Sequence, residues 1–128
     1  MNTIVRLMLV ALLIVVAVPA YSGEAVQMWK CSLEEGTTEE QVEASAKTWL
    51  KVAKKLPGGE NLRAYVYFPI AVNATGETDF MFMVVAPTFE EWGKFWDNYL
   101  KADAAELEAH QELFVCPDSV VWEAIKVE

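Results

Sequence analysis

Along this chain the apolar positions switch repeatedly between the two-residue repeat of a strand and the 3.6-residue repeat of a helix. Gln27, Trp29, Cys31 and Leu33 alternate with Met28, Lys30 and Ser32, which predicts a first strand over 27–33, ended by Glu34-Glu35-Gly36. Thr37 followed three residues later by Glu40 is capping-box spacing, so a helix is expected to begin there. Val42, Ala46, Trp49, Leu50, Ala53 and Leu56 recur on one face of it, and Glu39, Glu43, Lys47, Lys51 and Lys54 fall mostly elsewhere. Its acidic start and lysine-rich end complement the helix dipole. Pro57-Gly58-Gly59 stops it.

A second strand is predicted over 62–72, where Ala64, Val66, Phe68, Ile70 and Val72 alternate with Arg63, Tyr65, Tyr67, Pro69 and Ala71. Turn chemistry fills 73–78. The third strand, over 79–86, is apolar on both faces: Phe80, Phe82 and Val84 on one, Met81, Met83 and Val85 on the other. A strand covered on one side only would alternate with polar residues, so both sides of this sheet must be covered. Thr88 and Glu91 repeat the capping-box spacing ahead of a helix whose broad aromatic face carries Phe89, Trp92, Phe95, Trp96, Tyr99 and Leu100. A further helical segment over 104–113 and a last strand over 119–127 complete the order β-α-β-β-α-β. That is the split βαβ or ferredoxin-like arrangement, an α+β fold with an antiparallel sheet.

Ahead of the first strand, Arg6, an apolar run over 7–18 and small residues at Ala20 and Ser22 read as a signal peptide over 1–22. Cleavage after Ser22 leaves a chain beginning at Gly23, with Tyr21 as the second choice, and a single domain over 23–128. The run holds about a dozen apolar residues where a membrane span needs about 20, so no stable span is expected after processing. Cys31 follows Met28, Trp29 and Lys30, which do not suit a lipid-modified cysteine. The expected location is periplasmic or secreted. With Arg6 removed, nine Lys and Arg face 19 Asp and Glu, a formal charge of −10. Nucleic acid and anionic membranes both demand a basic surface, so neither is an expected partner.

Export makes the two cysteines, Cys31 and Cys116, candidates for a disulfide. In a ferredoxin-like sheet the strands lie in the order 4-1-3-2, so the end of the first strand meets the start of the last, which is where these two residues fall. The chain-entropy model gives such a long loop an upper figure of about 4 to 5 kcal/mol. Free thiols for metal or redox chemistry would more usually show close C-x-x-C spacing, which is absent.

Catalytic signals are sparse. His110 is the sole histidine, and no Gly-x-Ser-x-Gly elbow accompanies it. Glu106 and His110 stand one helical turn apart, but two ligands do not make a metal site, and the solvated face of an acidic helix explains them. No metal and no cofactor is expected. Asp79 before an apolar strand is explained by its turn position, and Trp92, Trp96 and Tyr99 by packing of the second helix. Asn73-Ala74-Thr75 matches a glycosylation acceptor. Tyr65, Tyr67, Met81 and Met83 fall with Met28 and Lys30 on the sheet face turned away from the helices. Rings and thioethers there suit either a cavity for a small hydrophobic ligand or a dimer interface. The interface is the more economical, since covering a whole sheet face takes more than a small molecule.

The element order, the doubly apolar sheet and the aromatic second helix resemble the dimeric α/β-barrel superfamily, whose ferredoxin-like subunits pair through open sheet faces. Asp79-Phe80 entering the third strand, Trp92-Gly93 in the second helix and the 116–127 segment resemble uncharacterised exported bacterial proteins of that type. Members include cofactor-independent monooxygenases, haem-degrading enzymes and proteins without assigned activity. No active-site signature matches, so no catalytic residue carries over. The resemblance implies a homodimer, and the expectation is a non-catalytic binding or structural module. The alternative is a small monooxygenase-like or haem-handling enzyme using the sheet cavity.

Overall fold

The computed structural model describes residues 23–71, 79–102 and 112–128. The expected leader, the turn with Asn73, and most of the expected 104–113 helix with Glu106 and His110 lie outside them. Glu24–Leu33 forms β1, Glu39–Ala53 α1, Arg63–Tyr67 β2, Phe80–Ala86 β3, Phe89–Tyr99 α2 and Phe114–Ala124 β4. The strands lie in the order β2-β3-β1-β4, and every neighbouring pair is antiparallel. This is the ferredoxin-like α+β fold predicted from the hydrophobic pattern. No helix among the described residues is long and apolar enough to cross a membrane.

Both helices pack on one face of the sheet. Trp49 and Ala53 of α1 and Phe95 of α2 are buried with Ala25 of β1, Val84 and Ala86 of β3, and Leu62. Trp49 meets both Phe82 and Phe95 edge-on, at ring separations of 5.3 and 6.1 Å. A second cluster gathers Val42, Cys31, Phe80 and Phe114 toward the other end. Gln27, the polar residue on this inner face of β1, is satisfied there. Its side-chain oxygen accepts from Trp92 Nε1 at 3.1 Å, and its amide nitrogen donates to Ser119 Oγ at 3.4 Å. These bonds give a half-buried amide its partners where α2 meets the sheet.

The first helix starts one residue later than the spacing predicts. Thr38, not Thr37, is the N-cap: its hydroxyl accepts from the Gln41 backbone N–H, and the Gln41 side chain accepts from the Thr38 N–H at 2.9 Å. Thr37 is engaged elsewhere, its hydroxyl donating to the Leu113 carbonyl at 2.9 Å. The second helix starts as expected, with Thr88 capping the Glu91 N–H at 3.0 Å. Leu100, placed by periodicity on the aromatic face, is exposed, because α2 ends at Tyr99. After α1, Gly58 adopts a φ of +87° and lies against the backbone of α2 at Glu91 and Phe95, where a Cβ would collide.

The strand ends differ for identifiable reasons. β2 closes at Tyr67 instead of continuing to 72, since Pro69 has no N–H for the ladder. β1 starts at Glu24, where Ala25 packs fully buried opposite Ala86. β4 begins five residues ahead of the expected 119 and ends at Ala124. The register of β1 against β4 shifts between Lys30 and Ser32, and Pro117 sits inside that irregularity. A bulge accepts a proline that a regular ladder would reject.

Candidate functional site

The face of the sheet opposite the helices is assembled from residues far apart in sequence. Strand alternation and the pairing register set it out in rows. One row runs Arg63, Val85, Val26, Trp122; the next Tyr65, Met83, Met28, Val120; the next Tyr67, Met81, Lys30, Asp118. The middle row is apolar across all four strands apart from one phenol. Charge stands in the outer rows, in Arg63, which pairs with Glu24, and in Lys30 with Asp118. Tyr65, Tyr67, Met81 and Met83 are therefore brought together: the two tyrosine rings lie 6.3 Å apart, and Tyr67 Oη donates to Met83 Sδ at 3.9 Å. Tyr65 is 42% exposed, Tyr67 46% and Trp122 57%, values that leave a large apolar surface facing outward.

A cavity lies on the other side of the sheet. About 530 Å³ in volume, it opens between the middle of α1, the end of α2 and the start of β4. Trp29, Trp49, Phe82, Trp96, Tyr99 and Phe114 wall it, together with Val66, Ala46, Ser45 and Cys116. Among the described residues its lining holds no carboxylate, lysine, arginine or histidine. Trp96, edge-on to Tyr99 at 4.7 Å and 6.0 Å from Trp29, has a buried indole N–H without a partner among the described residues. Such an arrangement offers dispersion and aromatic contact. Among the described residues it offers no acid or base to move a proton.

The rings of this cavity read, residue by residue, as ordinary core positions. Trp49, Trp96 and Tyr99 fit the apolar faces of their helices, and only their number hints at space between them. Three tryptophans from three elements are difficult to close-pack in so small a domain. Cys31 and Cys116 are bonded, with Cα atoms 4.1 Å apart. Asp79 is a structural residue: Oδ2 accepts from the Leu33 N–H at 2.7 Å, and its own N–H donates to the Cys31 carbonyl at 3.0 Å, closing the end of β1. Among the described residues no group of three or more His, Cys, Asp or Glu stands together to hold a metal.

No protein-family model matches the sequence, and comparison with curated proteins yields no significant match. Solved structures do match the fold. The Arabidopsis thaliana protein At3g17210 superposes with a TM-score of 0.51 at 13% identity, over 83% of this chain and 98% of that one. A candidate chlorite dismutase, TA0507, gives a TM-score of 0.49 at 12% identity over 84% of this chain, which spans 45% of that protein's length. A dimeric ferredoxin-like protein of unknown function from Thermobifida fusca gives 0.43 at 16% identity, over 84% of this chain and 94% of that one. At these identities the likeness is one of fold. The chain has the ferredoxin-like α+β fold.

Proposed function

We propose that this protein is an exported homodimeric binding module: two copies join through the open sheet face, and each keeps an aromatic cavity for a small uncharged hydrophobic molecule. The observation that carries the binding role is the cavity lining, with six aromatic side chains and no acid, base or histidine among its described residues. Its volume of about 530 Å³ falls in the range of small-molecule sites. The dimer is supported by the apolar middle row of the outer face, where two helices already occupy the other side and no element of the described chain covers this one. Tyrosine and methionine are enriched at the cores of protein interfaces, and charge is depleted there, as in the middle row of this face.

The linked cysteines and the apolar run over 7–18 support export. A catalytic role would recruit the same cavity, with the hydroxyls of Ser45 and Tyr99 as its polar side-chain groups. Native mass spectrometry of protein purified from its own host tests the module directly. The expected spectrum shows a dimer of chains beginning at Gly23, with a small molecule retained per chain. A monomer at micromolar concentration removes the interface, and an empty dimer that binds no hydrophobic probe removes the ligand role.

A further inference from the structure

Outside the expected leader the chain has three methionines, and all three stand side by side on the outer sheet face. Met28 and Met83 are direct cross-strand partners on the two central strands. Met81 lies two residues from Met83 on the same face, diagonal to Met28. Cross-strand partners have Cβ atoms about 5 Å apart and diagonal neighbours about 7 Å, so three flexible thioether side chains of this length can meet at one point. Tyr67 Oη already donates to Met83 Sδ at 3.9 Å, so that sulfur serves as an acceptor.

From this placement we infer that Met28, Met81 and Met83 form a three-thioether site for a soft monovalent cation, Cu(I). Thioether sulfur is uncharged and polarisable. It binds hard cations such as Ca²⁺ and Mg²⁺ poorly, and it favours Cu(I). A thioether also carries no proton to displace, so such a site works without the histidines and carboxylates that other metal centres need. The register flanks the cluster with Tyr65 and Tyr67 on one side and with Lys30, the direct partner of Met81, on the other, so the cation the site takes must be one of low charge. All three donors come from one sheet, so the site does not depend on dimerisation.

The test equilibrates the disulfide-bonded protein, without oxygen and with ascorbate, against Cu(I) held by the chromophoric chelator bicinchoninate. The expected result is transfer of one Cu(I) per chain, lost in a Met28→Leu, Met81→Leu, Met83→Leu triple variant. Leucine conserves volume, and the melting temperature and oligomeric mass of each variant, read beside wild type, separate lost donors from a lost fold or a lost interface. Met83→Leu alone, which removes one donor of three, shows weaker transfer than wild type. No transfer to wild type, or transfer to both variants equal to wild type, overturns the inference. Oligomeric mass read on the same samples separates this outcome from the dimer: a monomer that takes up Cu(I) sinks only the interface.

Discussion

Cys31 of β1 and Cys116 of β4 stand opposite one another at the point where the two strands lose register, their Cα atoms 4.1 Å apart. Cys31 is 1% exposed in the cluster with Val42, Phe80 and Phe114, and Cys116 reaches the wall of the aromatic cavity. The bond ties the early part of β4, which carries Pro117 and a broken ladder, to the centre of the sheet. Replacing Cys116 with alanine is expected to cost about 2 to 5 kcal/mol in urea denaturation. Thiol labelling of both cysteines in unreduced protein would rule out the bond.

The outer face predicts a monomerising variant. Tyr67→Asp with Met83→Asp introduces two negative charges among the apolar side chains of neighbouring rows, where a second copy would have to bury them. A buried unpaired charge is strongly destabilising to an interface, so sedimentation should shift from dimer to monomer. A wild-type chain that already sediments as a monomer at micromolar concentration contradicts the paired-sheet arrangement.

Phe95 and Trp96 are neighbours in α2 with opposite expectations. Phe95 is fully buried between Trp49 and Tyr99, and Phe95→Ala should cost about 3 to 5 kcal/mol. Trp96→Phe removes a buried N–H that has no partner among the described residues, a group whose desolvation costs about 1 to 3 kcal/mol, and this offsets the packing it loses. Thermal melts should show a large drop for the first and little change for the second. Equal drops would mean that Trp96 has a partner in solution.

At the start of α1, the Glu40 carboxylate is held below its ordinary value of 4.5, first by a backbone N–H at Glu40 itself and then by the Thr38 hydroxyl. A carboxyl with a depressed folded pKa contributes stability above its unfolded pKa. That contribution disappears as pH falls through the folded value. An NMR titration of the Glu40 side chain should therefore give a midpoint below 4.5, and Thr38→Ala should move it upward. A midpoint unchanged in Thr38→Ala would remove the hydroxyl as a cause.

The four strands, the two described helices and the order of the sheet are legible in the sequence because each element carries its own period, and because β3 is apolar on both faces. The proximity of Cys31 and Cys116 follows once that order is known. Errors gather where a distant partner decides the outcome. Thr37 looks like a cap, but its hydroxyl serves Leu113, so Thr38 caps instead. The last strand is expected to begin at 119, but a bulge opposite β1 absorbs Pro117 and β4 starts at Phe114.

The candidate sites divide along the same line. Tyr65, Tyr67, Met81 and Met83 could be assigned to one face from alternation alone, because a two-residue repeat determines which way a strand side chain points. That Met28 stands directly opposite Met83 required the register, which backbone pairing between separate strands sets. The aromatic cavity could not be read from sequence at all. Trp29, Trp49 and Trp96 each carry the signal of an ordinary core residue, and whether three such rings fill the space between helices and sheet or leave part of it open is a property of their combined packing. Sequence by itself determined the elements, their order and the faces of the strands, since these depend on near neighbours. Tertiary structure decided the caps, the bulge and the cavity, where groups far apart along the chain compete for the same hydrogen bonds and the same volume.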